Sequence, residues 1–268
     1  MSHAFEPDAE TRAAIARLAA SDLLLVALDF DGTLAPLQDD PLASRMLPAA
    51  REAVAALVAT PATVVALVSG RSLIDLRVVA EHDDASRIVL AGSHGAEFWL
   101  PGEGIVSHGE DAADVRLRDE MRAHAERAIT PLKGTWIEPK TFGFGVHTRL
   151  ATPADAADAN RIVDAIVSAE APHWRRRTGH NIVEYAFRQE GKDTAVAELR
   201  TRVGATAVLF AGDDVTDEDA LRSLRADDLG VHVGAGETAA TVTVPDIPAF
   251  AAVLSLLASQ RADAAPRA

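Results

Sequence analysis

Six consecutive apolar residues, Leu23-Leu24-Leu25-Val26-Ala27-Leu28, run directly into Asp29-Phe30-Asp31-Gly32-Thr33. A run so short, with no polar face to show to water, fits a strand buried on both sides of a parallel sheet. Similar apolar runs recur at 63–68, 87–91 and 205–211. Helical stretches are predicted at 7–20, 48–59, from Arg71 to about Glu81, and 192–203. Strand, helix and strand in this rhythm imply right-handed crossovers and a doubly covered parallel sheet.

The rhythm breaks after Gly95. A short strand at 96–100 and a turn cluster, Pro101-Gly102-Glu103-Gly104, precede a charged helix at 112–130. Strands near 135–138 and 143–148, a helix at 153–170, and strands around Trp174 and 181–187 follow. This segment reads as an inserted α+β domain. The parallel pattern then resumes, with a helix at 218–224, strands at 230–233 and 241–244, and a helix at 248–259. The alanine-rich tail from Gln260 is expected to fray. The fold class is therefore α/β, a Rossmann-like parallel-sheet core with an inserted α+β cap. Its expected boundaries are 1–104 and 188–268 for the core and 105–187 for the cap.

The chain of 268 residues carries a net charge of −14 and no cysteine. The charge argues against nucleic acid or an anionic membrane as partner, although a metal ion or a few cations can reverse the field inside a cleft. Without cysteine there is no disulfide, thiolate catalysis or cysteine-bound metal, which suits a reducing cytosol. The first residues lack the basic start and apolar stretch of a signal peptide, and no run is long enough to span a membrane. A cytoplasmic, monomeric chain acting on a small molecule is the expectation.

Four sequence-distant pieces fall at strand ends or helix starts. Asp29 and Asp31 close the first strand, where open α/β sheets place their ligands. One carboxylate could attack phosphorus and the other move the proton, although a turn or helix cap also uses Asp and Gly. Thr33 offers a hydroxyl and an amide to a phosphate. Ser69-Gly70-Arg71, between strand and helix, forms either an anion site or a plain serine cap. Lys192 opens a helix, where its charge opposes the dipole unless an anion lies close; a solvated surface lysine is the other reading. Asp213, Asp214 and Asp217 flank one turn after the strand at 205–211, more acid than capping needs and suited to magnesium.

In order and in combination these pieces resemble the four motifs of the haloacid-dehalogenase superfamily of phosphohydrolases. The resemblance implies Asp29 as nucleophile and Asp31 as general acid and base. It also implies Thr33, Ser69, Gly70, Arg71 and Lys192 around the phosphate. The implied cofactor is Mg2+, held by Asp29, the Asp31 carbonyl and Asp213, with Asp214 or Asp217 in support.

The cap segment carries Glu138, Lys140, His147 and Arg149, and later Gly179-His180-Asn181-Ile182-Val183-Glu184. Such residues bind sugar hydroxyls, or form a cross-strand charge lattice on a solvated face. With Gly92-Ser93-His94-Gly95 and Gly212-Asp213-Asp214-Val215-Thr216-Asp217-Glu218, they resemble the trehalose-6-phosphate phosphatase family from about Leu23 to Phe250. The resemblance implies that Glu138, Lys140 and Glu184 contact the disaccharide. The substrate-binding set would extend to His94, His147, Arg149, His180 and Asn181. The sequence departs from the family at His180, where Lys or Arg is usual, and at Ala186 and Phe187, where a proline often follows. The basic run Arg175-Arg176-Arg177 reads as a solvated face, or else a docking site.

The expected function is magnesium-dependent hydrolysis of trehalose 6-phosphate through an aspartyl-phosphate. Other readings are a phosphatase for sucrose 6-phosphate or a glycosyl-3-phosphoglycerate, a phosphosugar mutase, a broad-range phosphatase, and a non-catalytic sugar-phosphate-binding domain.

Overall fold

A computed structural model describes residues 5–38, 40–107, 109, 111–179 and 181–264, apart from the side chain of Ser107. His180, one of the expected sugar ligands, lies outside the described residues. The chain divides into two compact units, Met1–Ser107 with Glu190–Ala268, and His108–Gln189.

In chain order the first unit begins with α1 (Ala9–Ala19), β1 (Leu24–Leu28), α2 (Pro48–Ala59), β2 (Thr63–Val68), α3 (Leu73–Val79), β3 (Val89–Gly92), β4 (Glu97–Leu100) and β5 (Gly104–Ser107). The second unit holds α4 (Ala112–Ile129), β6 (Trp136–Lys140), β7 (Gly143–His147), α5 (Pro153–Glu170), β8 (Arg175–Gly179) and β9 (Ile182–Ala186). The first unit then continues with α6 (Lys192–Val203), β10 (Ala207–Gly212), α7 (Glu218–Ser223), β11 (Leu229–Val233), β12 (Val242–Val244) and α8 (Ile247–Ala264).

The first unit's sheet has the order β12-β11-β10-β1-β2-β3-β4-β5. The pairs from β12 to β3 are parallel, and β4 and β5 add an antiparallel edge. All five residues of β1 are buried, and their alternation separates two cores. Leu24, Val26 and Leu28 pack with residues of α1, α2, α3 and α8. Leu25 and Ala27 pack with α6 and α7 on the other face. Burying each leucine contributes about 1.5–3 kcal/mol, so this strand is pinned from both sides before any charge is added at its end.

The second unit's sheet, β6-β7-β9-β8, is wholly antiparallel. Its Phe144, Val146, Val183 and Tyr185 pack with Met121, Ala125 and Ile129 of α4 and Ala159, Val163 and Val167 of α5. The opposite strand positions therefore point away from that core.

Three features differ from the sequence expectation. The core sheet gains β5, which pairs with β4 after a tight turn with Gly102 and Gly104 at φ +81° and +80°. A four-residue strand directly behind a turn cluster carries too little periodicity to be read. As a result the units divide after Ser107 and after Gln189, a few residues beyond the expected 104 and 187. The polar tail does not fray at Gln260: α8 continues to Ala264. Arg261 explains this. It is 4% exposed, donates through Nε to Thr63 Oγ1 at 2.7 Å, and reaches the carbonyls of Ala19 and Ser21 through Nη1 at 3.1 and 2.9 Å.

Candidate active site

Asp29 follows the last residue of β1, and its amide donates to the Ala211 carbonyl at 2.9 Å. The end of β1 is thereby locked to β10, which delivers Asp213 on the adjacent strand. Lys192, the first residue of α6, is 3% exposed; its Nζ donates to Asp29 Oδ1 at 2.6 Å and Asp217 Oδ1 at 2.7 Å. The expected clash with the helix dipole is resolved because the ammonium turns back between two buried carboxylates. Asp217 is fully buried. Its second oxygen accepts from the amides of Asp213 and Asp214 at 3.3 and 3.1 Å, shaping the turn after β10.

Two glycines make this crowding possible. A Cβ on Gly32, whose φ is +82°, would lie 1.9 Å from Asp213 Oδ2. One on Gly212 would lie 2.1 Å from the Asp217 Cγ. The carboxylates can approach only where side chains are missing.

Asp29, Asp213 and Asp217 each bring an oxygen to within 4.8 Å of the others. Thr33 Oγ1 donates to Asp29 Oδ2 at 3.2 Å and lies 3.4 Å from Asp213 Oδ1. The charge does not balance, since one ammonium faces three carboxylates. Burial, with Asp217 and Asp213 nearby, holds Asp29 well above the usual carboxylate range although Lys192 opposes it. Asp213 is pushed up to about 7, chiefly by burial and then by Asp217. Burial alone would lower the Lys192 pKa, but Asp217 and Asp29 together raise it. Oxygen donors, buried negative charge and a single cation fit a hard divalent ion. Of the two supporting acids expected, Asp217 lies in this cluster. Asp214 caps the following turn, accepting from the Val215 amide at 2.7 Å.

Asp31 has a different environment. Arg71 Nε and Nη2 donate to its two oxygens at 2.5 and 2.8 Å, and buried Ser44 donates to Oδ1 at 3.0 Å. Sequence reasoning placed Arg71 on the phosphate; in the structure it forks onto Asp31. Ser44, thirteen residues along a loop from Asp31, had no signal beyond its hydroxyl. Ser69 stands buried at the end of β2, its Oγ accepting from the Arg71 amide at 3.2 Å. Gly70 leaves room for the His94 ring, whose Cε1 a Cβ would meet at 2.8 Å. Ser93 and His94 both adopt left-handed backbones, φ +49° and +58°. Glu97 holds this turn, accepting from Ser93 Oγ at 2.6 Å and the Leu73 amide at 3.0 Å.

The second unit assembles its own polar group on the face of its sheet away from α4 and α5. Lys140 Nζ sits between Glu138 and Glu184 at 3.0 and 3.3 Å. His147 Nε2 is 2.5 Å from Glu138 Oε2. Burial alone would raise the Glu138 pKa, but His147 and Lys140 together lower it. Lys140 shifts upward, its two glutamates outweighing burial. Trp136 stacks on His147 with centroids 4.6 Å apart, and Arg149 lies over Trp136 at 5.4 Å. Asn181 takes a backbone part: φ is +57° and its carbonyl accepts from the Thr148 amide at 2.9 Å, while the residue is exposed. Trp136 had been missed as an organiser of this face, because stacking across two strands depends on register.

Within the first unit, a parallel sheet presents aspartates, a buried lysine and an acidic turn at the carboxyl ends of neighbouring strands. With an antiparallel α+β unit interrupting the sequence, this is the haloacid-dehalogenase fold. A solved structure of the Candida albicans trehalose-6-phosphate phosphatase C-terminal domain has the same fold, with TM-score 0.78 at 20% identity over 96% of this chain and 99% of that one. The trehalose-phosphatase family model matches residues 27–248, and the chain belongs to that family. A trehalose-phosphate phosphatase of Mycolicibacterium paratuberculosis is 36% identical over 217 residues, 75% of this chain and 51% of the relative. An uncharacterized glycosyl hydrolase of Mycobacterium tuberculosis is 34% identical over 221 residues, 78% of this chain and 16% of that protein. The chain thus spans about half the length of the first relative and about a sixth of the second. Among the described residues no helix is long and apolar enough to cross a membrane.

Proposed function

We propose that the chain hydrolyses trehalose 6-phosphate to trehalose and phosphate. The observation that carries the chemistry is Asp29, buried at the end of β1 and held by Lys192 beside Asp213. Membership of the trehalose-phosphatase family supports the substrate.

In the first step an Asp29 carboxylate oxygen attacks phosphorus. The bond from phosphorus to the sugar oxygen breaks, and Asp31 gives that oxygen its proton. In the second step Asp31 takes a proton from water as the water oxygen attacks phosphorus, and the acyl-phosphate bond to Asp29 breaks. Lys192 keeps Asp29 oriented and balances charge on the transferred group. Ser69, Thr33 and the amides of the Gly70 turn bind the phosphate oxygens. Arg71 and Ser44 fix the carboxyl of Asp31, which must leave their hydrogen bonds to serve as a proton donor.

Asp29, the Asp31 carbonyl and Asp213, supported by Asp217, would hold Mg2+. When bound, that ion neutralises charge between an anionic nucleophile and an anionic phosphate. Glu138, Lys140 and Glu184 recognise hydroxyls of the sugar, with His147, Arg149 and Trp136 keeping Glu138 in place. The expected location is the cytoplasm.

The test is phosphate release with magnesium from trehalose 6-phosphate, sucrose 6-phosphate, glucose 6-phosphate, and glucosyl- and mannosyl-3-phosphoglycerate. Trehalose 6-phosphate is expected to lead. A lead of about tenfold by another ester (about 1.4 kcal/mol) would replace the substrate and leave the mechanism standing.

A further inference from the structure

The polar face of the second unit's sheet does not end at Glu184. Strand register places Glu138 opposite Gly145, Gly145 opposite Glu184, and Glu184 opposite Arg177. These four residues form one row across β6, β7, β9 and β8. Their side chains share a face, because each occupies the same position in the pleat.

We propose that Arg177 is a specificity-determining residue, donating hydrogen bonds to disaccharide hydroxyls beyond the span of Glu138, Lys140 and Glu184. The inference rests on the trehalose 6-phosphate reading above and extends its sugar-binding face by one strand.

Three observations carry it. First, the basic run at 175–177 is not uniform. Arg176 turns to the opposite side, where it is exposed and donates to Asp164 of α5 at 2.6 Å, a carboxylate that also receives the Tyr185 hydroxyl at 2.6 Å. Arg177 is half-buried on the face that carries Glu138, Lys140 and Glu184. Second, the row contains one gap, at Gly145, where a Cβ would lie 2.8 Å from Ile182 Cδ1. Lys140 spans that gap to touch both glutamates. No such gap separates Glu184 from Arg177, whose Cβ atoms as direct cross-strand neighbours lie roughly 4.5–5.5 Å apart. Third, four strands about 4.8 Å apart give the row a width of roughly 14 Å. One pyranose ring covers less than half of that width, whereas a disaccharide is long enough to meet Glu138, Lys140 and Arg177 together. A guanidinium suits the end position, since its planar donors can take two vicinal hydroxyl oxygens at once.

The experiment measures kcat and KM of the whole chain with magnesium, for trehalose 6-phosphate and glucose 6-phosphate. The wild type is compared with R177M, R177K and R176M. R177M is expected to lower the preference for the disaccharide about tenfold, through KM, with R177K recovering part of it. R176M, altered on the opposite face, is expected to keep the wild-type preference. Equal losses on both substrates by R177M, or an unchanged preference, would overturn the inference. Should R177M fail to fold by circular dichroism, the R177K preference decides: a wild-type value counts against Arg177. A wild type that cleaves glucose 6-phosphate but not trehalose 6-phosphate would instead sink the substrate reading itself.

Discussion

Lys192 and Asp217 form a buried ion pair at 2.7 Å, with side chains 3% and 0% exposed. Asp217 is thereby the counter-charge that keeps Lys192 aimed at Asp29, as well as a member of the acidic cluster. Replacing it with asparagine removes a charge that both Lys192 and the amides of Asp213 and Asp214 address. Breaking a buried pair in this way costs about 3–5 kcal/mol. D217N is therefore expected to melt lower in urea and to lose activity together with its stability. Wild-type stability in urea would show that Lys192 needs only Asp29.

Asp29→Asn should behave differently. It removes the proposed nucleophile and relieves crowding among carboxylates, while Lys192 keeps Asp217. Phosphate release is expected to fall by about a thousandfold or more, with urea stability close to wild type. D31N should lose about 10²–10⁴-fold on sugar phosphates and less on aryl phosphates, whose leaving groups need no proton. Substantial phosphate release by D29N would mean that another group attacks phosphorus.

The site was legible in sequence where chemistry coincides with the end of an apolar run. Asp29, Ser69, Lys192 and Asp213 each sit at a junction between strand and helix, and the fold brings Asp29, Lys192 and Asp213 together. The fork of Arg71 onto Asp31 had no sequence signal, because the two residues stand forty apart in the chain. Arg177 was hidden for a similar reason: a run of three arginines looks the same whichever face each side chain takes. Strand register, which the sequence does not spell out, decides that.

The raised carboxyls give stability a definite pH dependence. A carboxyl whose folded pKa lies above its ordinary value favours the folded state while protonated. For Asp213 that contribution is complete below the ordinary value of 3.8 and is lost as pH climbs through about 7. Asp29 moves in the same direction. The metal-free protein is therefore expected to melt at a lower temperature at pH 8 than at pH 5.5. Carboxylates with depressed pKa, such as Glu138 and Asp164, stay ionised across that window. Magnesium should raise the melting temperature more at pH 8, where the cluster is ionised, than at pH 5.5. Scanning fluorimetry in EDTA and in excess magnesium checks both statements, and equal magnesium shifts at the two values would count against the cluster as the ion's site.

Gly32 offers a sharper test of the cluster than any carboxylate. Its φ of +82° and the 1.9 Å that would separate a Cβ from Asp213 Oδ2 both forbid a side chain. G32A is expected to displace the Asp213 carboxylate and turn a local φ conflict into lost function, with a strain of about 1–3 kcal/mol. The melting-temperature gain on adding magnesium should shrink with it. If that gain stays at the wild-type value while activity falls, Gly32 serves the phosphate rather than Asp213.

Far from this edge, Arg261 ties the last helix to the start of the sheet. Its guanidinium serves the Ala62 carbonyl and Thr63 hydroxyl at the head of β2, and the carbonyls of Leu18, Ala19 and Ser21 around the end of α1. The Leu18 and Ala19 carbonyls belong to the last turn of α1 and carry the negative end of its dipole, so the cation satisfies acceptors and charge together. R261M keeps most of the aliphatic stem but takes from the Ala19 and Ser21 carbonyls their donor among the described residues, at about 1–3 kcal/mol for each one that water cannot reach; Leu18 and Ala62 keep the Ser21 and Leu24 amides. A loss of about 3 kcal/mol in urea unfolding is expected, with kcat and KM unchanged because no residue of the Asp29 cluster touches Arg261. R261K, a single ammonium in place of a planar fork, should recover only part of the loss. Full recovery would mean that charge alone holds α8 in place, and that the fan of directed hydrogen bonds adds nothing to it.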